Sequence, residues 1–282
     1  MRIKRVIDGV KRRLWALHPR SFEYERKGKE HSGKPIDVTF DSDIKARVWP
    51  NDVLGKSLFV QGKMEPGETK YIKSILRPGM VFVDVGANMG YYSLLAAKMV
   101  GSTGKVHSFE PNQRMFGELG HNIALNGFDN VRINNFALGE RDGIAKISRY
   151  EKGKEVYGSL SDRAFPGTII IGYDDVQVKM LDAYAEQNNL SRLDVIKLDV
   201  EGAELQVLRG GINIIDRYKP FIVMEISELN LGGFGIHAID VYNFLIQHSY
   251  RLSPISTPRK YYSKSLFLEA LKNESNFIAT PF

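Results

Sequence analysis

No cysteine occurs anywhere in the 282 residues, which excludes a disulfide scaffold, a thiol nucleophile, a thiolate zinc site and an iron–sulfur cluster. Long apolar runs are missing too. Stretches such as Ile169–Ile171 and Phe221–Met224 are far too short to cross a bilayer. The 11 prolines and 26 glycines follow no period, so fibrous and disordered classes are excluded. What remains is an ordinary globular composition, 43% hydrophobic and 26% charged, long enough for one large core or two small domains.

The net charge of +6 is unevenly placed. Residues 1–34 hold eleven Lys/Arg and four Asp/Glu, and the other 248 residues carry a net charge of −1. A body without basic character argues against nucleic acid as a partner. Within the arm, Ile3, Val6, Ile7, Val10, Leu14 and Leu17 form the stripe of an amphipathic helix, and Pro19 stops the pattern. Charges interrupt every apolar stretch, so no signal peptide is expected. The helix could pack on the body or a second subunit, lie on an anionic membrane surface, or meet a phosphate-rich partner. Residues 26–34 read as an exposed linker. Gly28 and Gly33-Lys34 have phosphate-loop spacing, but Pro35 replaces the Ser/Thr that would hold magnesium. The expected location is the cytoplasm, with peripheral membrane contact through the arm.

Residues 36–67 read as a small β-rich preface, with a helix expected from Glu68 to Leu76. From Val81 onward short apolar strands alternate with helical stretches: Val81–Val85, Lys105–Phe109, Val131–Phe136, Val195–Leu198 and Pro220–Ile226. Asn112 can cap a helix that Asn126-Gly127 stops. Residues 139–180 break the rhythm and read as an inserted hairpin or flap. Such alternation gives a doubly wound α/β architecture with a mostly parallel sheet, over 68–282.

In such a sheet the ligand lies beyond the carboxyl ends of the strands. Asp84-Val85-Gly86-Ala87-Asn88-Met89-Gly90 sits at one such end. Its glycines allow a sharp turn and close approach to a ligand, and Asn88 tolerates left-handed dihedrals. The third glycine of the dinucleotide fingerprint is missing, so a pyrophosphate cradle is disfavoured. Asp84 suits an amino group and repels phosphate. Glu110, at the end of the second strand, can accept both hydroxyls of a ribose. S-adenosylmethionine, an amino acid joined to an adenine ribose, fits this arrangement. The competing reading is that Gly86 and Gly90 merely make a tight turn.

The segment Val83–Ser93 resembles the first motif of the FkbM-type methyltransferases. So do Phe109-Glu110-Pro111-Asn112, Asn122–Gly127, Ala137-Leu138-Gly139 and Ile196–Glu204, with Met64-Glu65-Pro66 and Pro220…Glu225 at the expected places. The resemblance covers about residues 60–282. It implies a class I methyltransferase fold, Rossmann-like, with seven strands, the last antiparallel. It also implies O-methylation of a sugar, glycolipid or natural-product hydroxyl. The cofactor-binding set it implies is Glu65, Asp84, Gly86, Ala87, Asn88, Gly90, Tyr91, Glu110, Pro111, Asn112, Phe136, Ala137 and Asp199.

Methyl transfer needs an aligned acceptor oxygen and a base for its proton. Lys197 is unusual inside a parallel strand, where both faces are normally apolar. Asp199 follows it, Glu225 ends the neighbouring strand, and His237 starts a later helix. These four are the expected catalytic group. Alternatively, Lys197 pairs with Glu225 as a structural bridge, and His237 caps its helix or lies on the surface. A divalent metal held by carboxylates here stays open, whereas no transition-metal ligand spacing occurs. RNA ribose methylation would want a basic groove. Base N-methylation would want Asn/Asp-Pro-Pro-Tyr in place of Asp199-Val-Glu-Gly202. A binding module without turnover would be favoured by a damaged first motif.

Overall fold

A computed structural model describes residues 19–30, 34–49, 53–150, 160, 168–258 and 263–282. The stripe Ile3–Leu17 lies outside the described residues.

The chain enters through helix α1 (Pro19–Glu30). Pro19 therefore opens a helix, which suits its fixed φ and missing N–H, and residues 26–30 are its last turns, not linker. Tyr24 is buried against Phe59, and its hydroxyl donates to the Trp49 carbonyl at 2.5 Å. Burying an aromatic side chain of this kind contributes roughly 1.5–3 kcal/mol. A hairpin, β1 (Ile36–Phe40) and β2 (Ile44–Val48), follows with strict in–out alternation. Helix α2 (Val53–Gln61) then occupies the second half of the expected β-rich preface, and α3 (Pro66–Ile75) begins before Glu68. The glycine and mixed polarity of Val53–Gln61 gave no helical stripe, and burial of Leu58, Phe59 and Val60 decides its state.

The wound region comprises β3 (Val81–Val85), α4 (Tyr91–Val100), β4 (Lys105–Phe109), α5 (Gln113–Asn126) and β5 (Val131–Asn134). The inserted segment gives β6 (Ala137–Leu138), β7 (Gly143–Tyr150) and β8 (Ile170–Lys179), which form their own sheet in the order β6-β8-β7. Then come α6 (Leu181–Gln187), β9 (Val195–Leu198), α7 (Glu204–Gly210), α8 (Ile212–Tyr218) and β10 (Phe221–Glu225). The chain closes with α9 (Glu228–Leu231), α10 (Ala238–Gln247), β11 (Tyr250–Pro254), α11 (Lys264–Ala270) and β12 (Asn276–Pro281).

The central sheet has seven strands in the order β11-β12-β10-β9-β3-β4-β5. β12 runs antiparallel to both neighbours, and the pairs among β10, β9, β3, β4 and β5 are parallel. Separate apolar clusters cover its two faces, so the strands read as apolar runs. This is the doubly wound, Rossmann-like sheet of seven strands with one antiparallel strand that the resemblance implies.

Helix α5 starts and stops where its caps dictate. Asn112 Oδ1 accepts from the Arg114 and Met115 amides, and Gly127 adopts φ 64° at the other end. Asn122 and Asn126 of this helix accept from the amides of Arg47 and Lys45, and Asn122 Nδ2 donates to the Met89 carbonyl. The amino-terminal hairpin is thereby fastened to the loop after β3. Among the described residues no helix is long and apolar enough to cross a membrane.

Candidate functional site

The carboxyl ends of β3, β4, β9 and β10 open into one cleft of about 420 Å³. That is within the ordinary range for a small-molecule site. Glu65, Gly86, Ala87, Asn88, Tyr91, Glu110, Pro111, Asn112, Phe136, Ala137, Lys197, Asp199 and Glu225 all line it. The strand expected to reach Phe136 ends at Asn134, whose side-chain Nδ2 donates to the Ser108 carbonyl, and Phe136 joins the wall.

Three expected site residues do not line the cleft. Asp84 is buried beneath it at 1% exposure, its Oδ2 accepting from Ser93 Oγ at 2.5 Å. Burial pushes it up to about 6, against the Ser93 hydrogen bond. It supports the loop from below. Gly90, at φ 95°, packs against Leu119: a Cβ there would sit 2.6 Å from Leu119 Cδ1. The nearby Gly86 lines the cleft, yet its φ of 80° also serves packing, because a Cβ would meet the Asp199 carbonyl at 1.9 Å. Close approach between the β3 and β9 loops thus requires glycine here. His237 lies on the surface with its side chain 73% exposed, facing Glu228 Oε2 at 3.4 Å. Its amide donates to Asp240 in the first turn of α10. His237 thus stands at the amino-terminal cap position of α10, outside the described lining of the cleft.

Glu110 is a buried carboxylate at the end of β4 that lines the cleft. Its two oxygens accept from the amides of Asn88 and Asn112, each at 2.8 Å. Burial raises it to about 7 despite those bonds. Asn88 reaches its place through φ 52°, and its Oδ1 accepts from the Met89 amide.

Lys197 is 2% exposed, with Nζ 2.6 Å from Asp199 Oδ2 and 5.0 Å from the Tyr92 ring centre. Burial alone would lower its pKa, but Asp199, Glu65 and Glu68 outweigh that and hold it above the ordinary lysine value. It is a fixed ammonium and pairs with Asp199, not with Glu225. Tyr92 Oη donates to Glu65 Oε2 at 2.9 Å and approaches Glu68 Oε2 at 3.4 Å. Burial pushes both Glu68 and Tyr92 well up.

Glu201, left outside the expected set, enters the lining through φ 54° and is held by Asn230 Nδ2 at 2.7 Å. Burial, then Asp199 and Glu225, raise it to about 9; burial, then Asp199 and Glu204, raise Glu225 to about 8. Buried Glu204 accepts from the Gly202 amide at 3.1 Å and so braces the turn that presents Glu201. The Asp-Val-Glu-Gly run carried a signal for Glu201, since Gly202 at φ 108° lets the preceding residue turn inward. Tyr92 stood inside the first motif. Nothing in the sequence marked Glu68.

The described lining therefore sets five carboxylates, Glu65, Glu110, Asp199, Glu201 and Glu225, against the single ammonium of Lys197. As its raised carboxylates ionise, such a cleft increasingly favours a cationic ligand and opposes a phosphate chain. Asp199, Glu201 and Glu225 each offer an oxygen, all within 4.8 Å of one another. This is a donor set suited to magnesium, although Lys197 already neutralises one member.

Residues 84–252, more than half of the chain, match the family described as Methyltransferase FkbM domain. The chain is 29% identical over 143 residues to Methyltransferase 1 of Beauveria bassiana, covering 45% of this chain and 57% of that protein. It is 29% identical over 181 residues to the 31-O-demethyl-FK506 methyltransferase FkbM of Streptomyces tacrolimicus, covering 55% and 67%. The chain thus spans little more than half of the first of these relatives. Among solved structures, Methyltransferase FkbM from Methylobacillus flagellatus KT aligns with a TM-score of 0.45 at 14% identity, over 80% of this chain and 54% of that one.

Proposed function

The chain belongs to the FkbM methyltransferase family, and on that premise we propose that it moves the methyl group of S-adenosylmethionine to a hydroxyl oxygen of a sugar, glycolipid or natural product. The observation that carries this reading is the excess of carboxylates in a cleft with one ammonium. When bound, the cofactor supplies an electrophilic methyl group on a cationic sulfur. Glu110, with two oxygens already aligned by backbone amides, would hold the ribose hydroxyls, and the Gly86-Ala87-Asn88 turn and Phe136 would enclose the rest. The name of the Streptomyces relative, 31-O-demethyl-FK506 methyltransferase, supports oxygen as the acceptor atom.

One group in this cleft is suited to take the acceptor proton, and one fixed charge is suited to steady the oxygen that loses it. Glu225, raised to about 8, has a basicity matched to neutral pH. Asp199 holds the Lys197 ammonium at 2.6 Å and fixes a positive charge close to where the acceptor oxygen becomes negative. If a divalent cation takes part, Asp199, Glu201 and Glu225 are its ligands. RNA as acceptor is disfavoured by the same carboxylates, which would repel its phosphates. A binding module without turnover would have no use for a buried ammonium and raised carboxylates at the cofactor's edge.

The test is incubation of the protein and isotopically labelled cofactor with glycan, lipid, natural-product and RNA fractions, with and without a chelator. Label in a hydroxyl-bearing small molecule or glycan supports the reading; label in RNA alone refutes it. The basic arm we assign to an anionic membrane surface or to self-association. Vesicle co-sedimentation and solution mass of a chain lacking residues 1–17 test that assignment.

A further inference from the structure

A second cavity, of about 350 Å³, lies at the opposite end of the strands from the cleft. The first residues of β3, β4 and β5 frame it, and Lys105, His107, Arg132 and Arg192 reach its lining. Register sets His107 directly beside Arg132, and Lys105 lies two residues earlier on the same face of the sheet. Arg192 is already engaged, its Nε lying 2.6 and 2.8 Å from the two oxygens of Asp194. The side chains of Lys105 and Arg132 have no ion-pair partner among the described residues. Asp129 is the one carboxylate in the described lining, so positive charge is left over.

His107 adds a directed donor. It is 9% exposed, and its Nδ1 lies 2.8 Å from Tyr184 Oη. Asn134 Nδ2 donates to that same hydroxyl at 3.3 Å. The Tyr184 hydroxyl, while accepting from Asn134, has its own proton to give to His107 Nδ1 in the Nε2–H tautomer of the ring. In that tautomer the Nε2 hydrogen has no acceptor among the described residues while the ring lines the cavity. Burial, then Arg132 and Lys105, push the ring down to about 4, so it faces the cavity as a neutral N–H donor at pH 7.

We propose that this cavity is a binding site for a phosphate-class oxyanion, with Lys105 and Arg132 supplying charge and His107 Nε2–H a directed hydrogen bond. Two uncompensated cations and a neutral donor match a dianion with three acceptor oxygens better than a monovalent carboxylate. Unlike the carboxylate-lined cleft at the other end of the strands, this edge of the sheet presents an excess of cations among its described lining residues.

The experiment follows the histidine ring signals of the full chain by nuclear magnetic resonance, with His107 assigned through His107→Gln. Inorganic phosphate is titrated at constant ionic strength, with chloride as the control salt. The expected result is a saturable shift of the His107 signals, with affinity about tenfold weaker in Arg132→Gln and in Lys105→Gln, as loss of one charge-assisted hydrogen bond implies. Both side chains are exposed, so these variants keep the fold. A second arm uses a sugar phosphate monoester. Tighter binding than inorganic phosphate identifies the ligand as a phosphorylated molecule, and equal or weaker binding identifies free phosphate. The proposal is overturned if phosphate moves His107 no more than chloride does. It is equally overturned if binding persists unchanged in the Arg132→Gln, Lys105→Gln double variant.

Discussion

Substituting Glu110 by glutamine separates its part in the fold from its part in binding. The carboxylate stands at about 7 where an exposed glutamate has 4.5. The folded protein therefore holds an extra proton between those values, and its stability falls as pH rises through that window. At about 1.4 kcal/mol per pH unit, the whole interval amounts to about 3 kcal/mol. Glutamine removes that dependence. It also turns one acceptor into an amide N–H, so either Asn88 or Asn112 loses its partner, at about 1–3 kcal/mol. Glu110→Gln should thus be less stable than the parent at pH 5 and should close most of that gap by pH 8.5. Asp84 and Glu204 titrate in both proteins and largely cancel. Urea denaturation of the ligand-free proteins at the two pH values reads the difference. Calorimetry of S-adenosylmethionine binding should show a loss of about tenfold to a hundredfold, the worth of a charge-assisted acceptor. An unchanged affinity, or a pH slope equal to the parent's, would refute the assignment of Glu110.

Affinity for the cationic cofactor should rise as pH increases from 6 to 9, because Glu110, Glu225 and Glu201 ionise near 7, 8 and 9; a flat or falling profile from calorimetry contradicts the carboxylate-rich cleft. Lys197→Met leaves Asp199 and Glu68 without their cation and should cost about 3–5 kcal/mol of stability by denaturant titration. Glu225→Gln should stay folded and bind cofactor while turning over about 10²–10⁴-fold more slowly, and near-normal turnover would remove Glu225 as the base. His237→Ala should keep its turnover and lose less than about 1 kcal/mol, since its ring is exposed on the surface; a tenfold rate loss would return it to the site.

The order of elements and most of the residues that line the cleft were legible in the sequence because they rest on local signals. Apolar runs set β3, β9 and β10, Asn112 and Gly127 bracket α5, and Glu110 falls at a strand end by counting alone. Lys197 announced itself by being charged where the strand is otherwise apolar. Helices α1, α2 and α11 were not legible, since their stripes are weak and burial on the body decides them. Asp84 and His237 have plausible chemistry, but one side chain turns beneath the loop to Ser93 and the other outward to Glu228. Glu68 and Glu201 meet Lys197 and Asp199 only because α3 and the β9 turn are folded against the same strand ends. Periodicity and caps act within one segment, and so the sequence determined which elements form. The direction of a side chain and the charge of its neighbours come from segments far apart in the chain, and only the tertiary structure decided those.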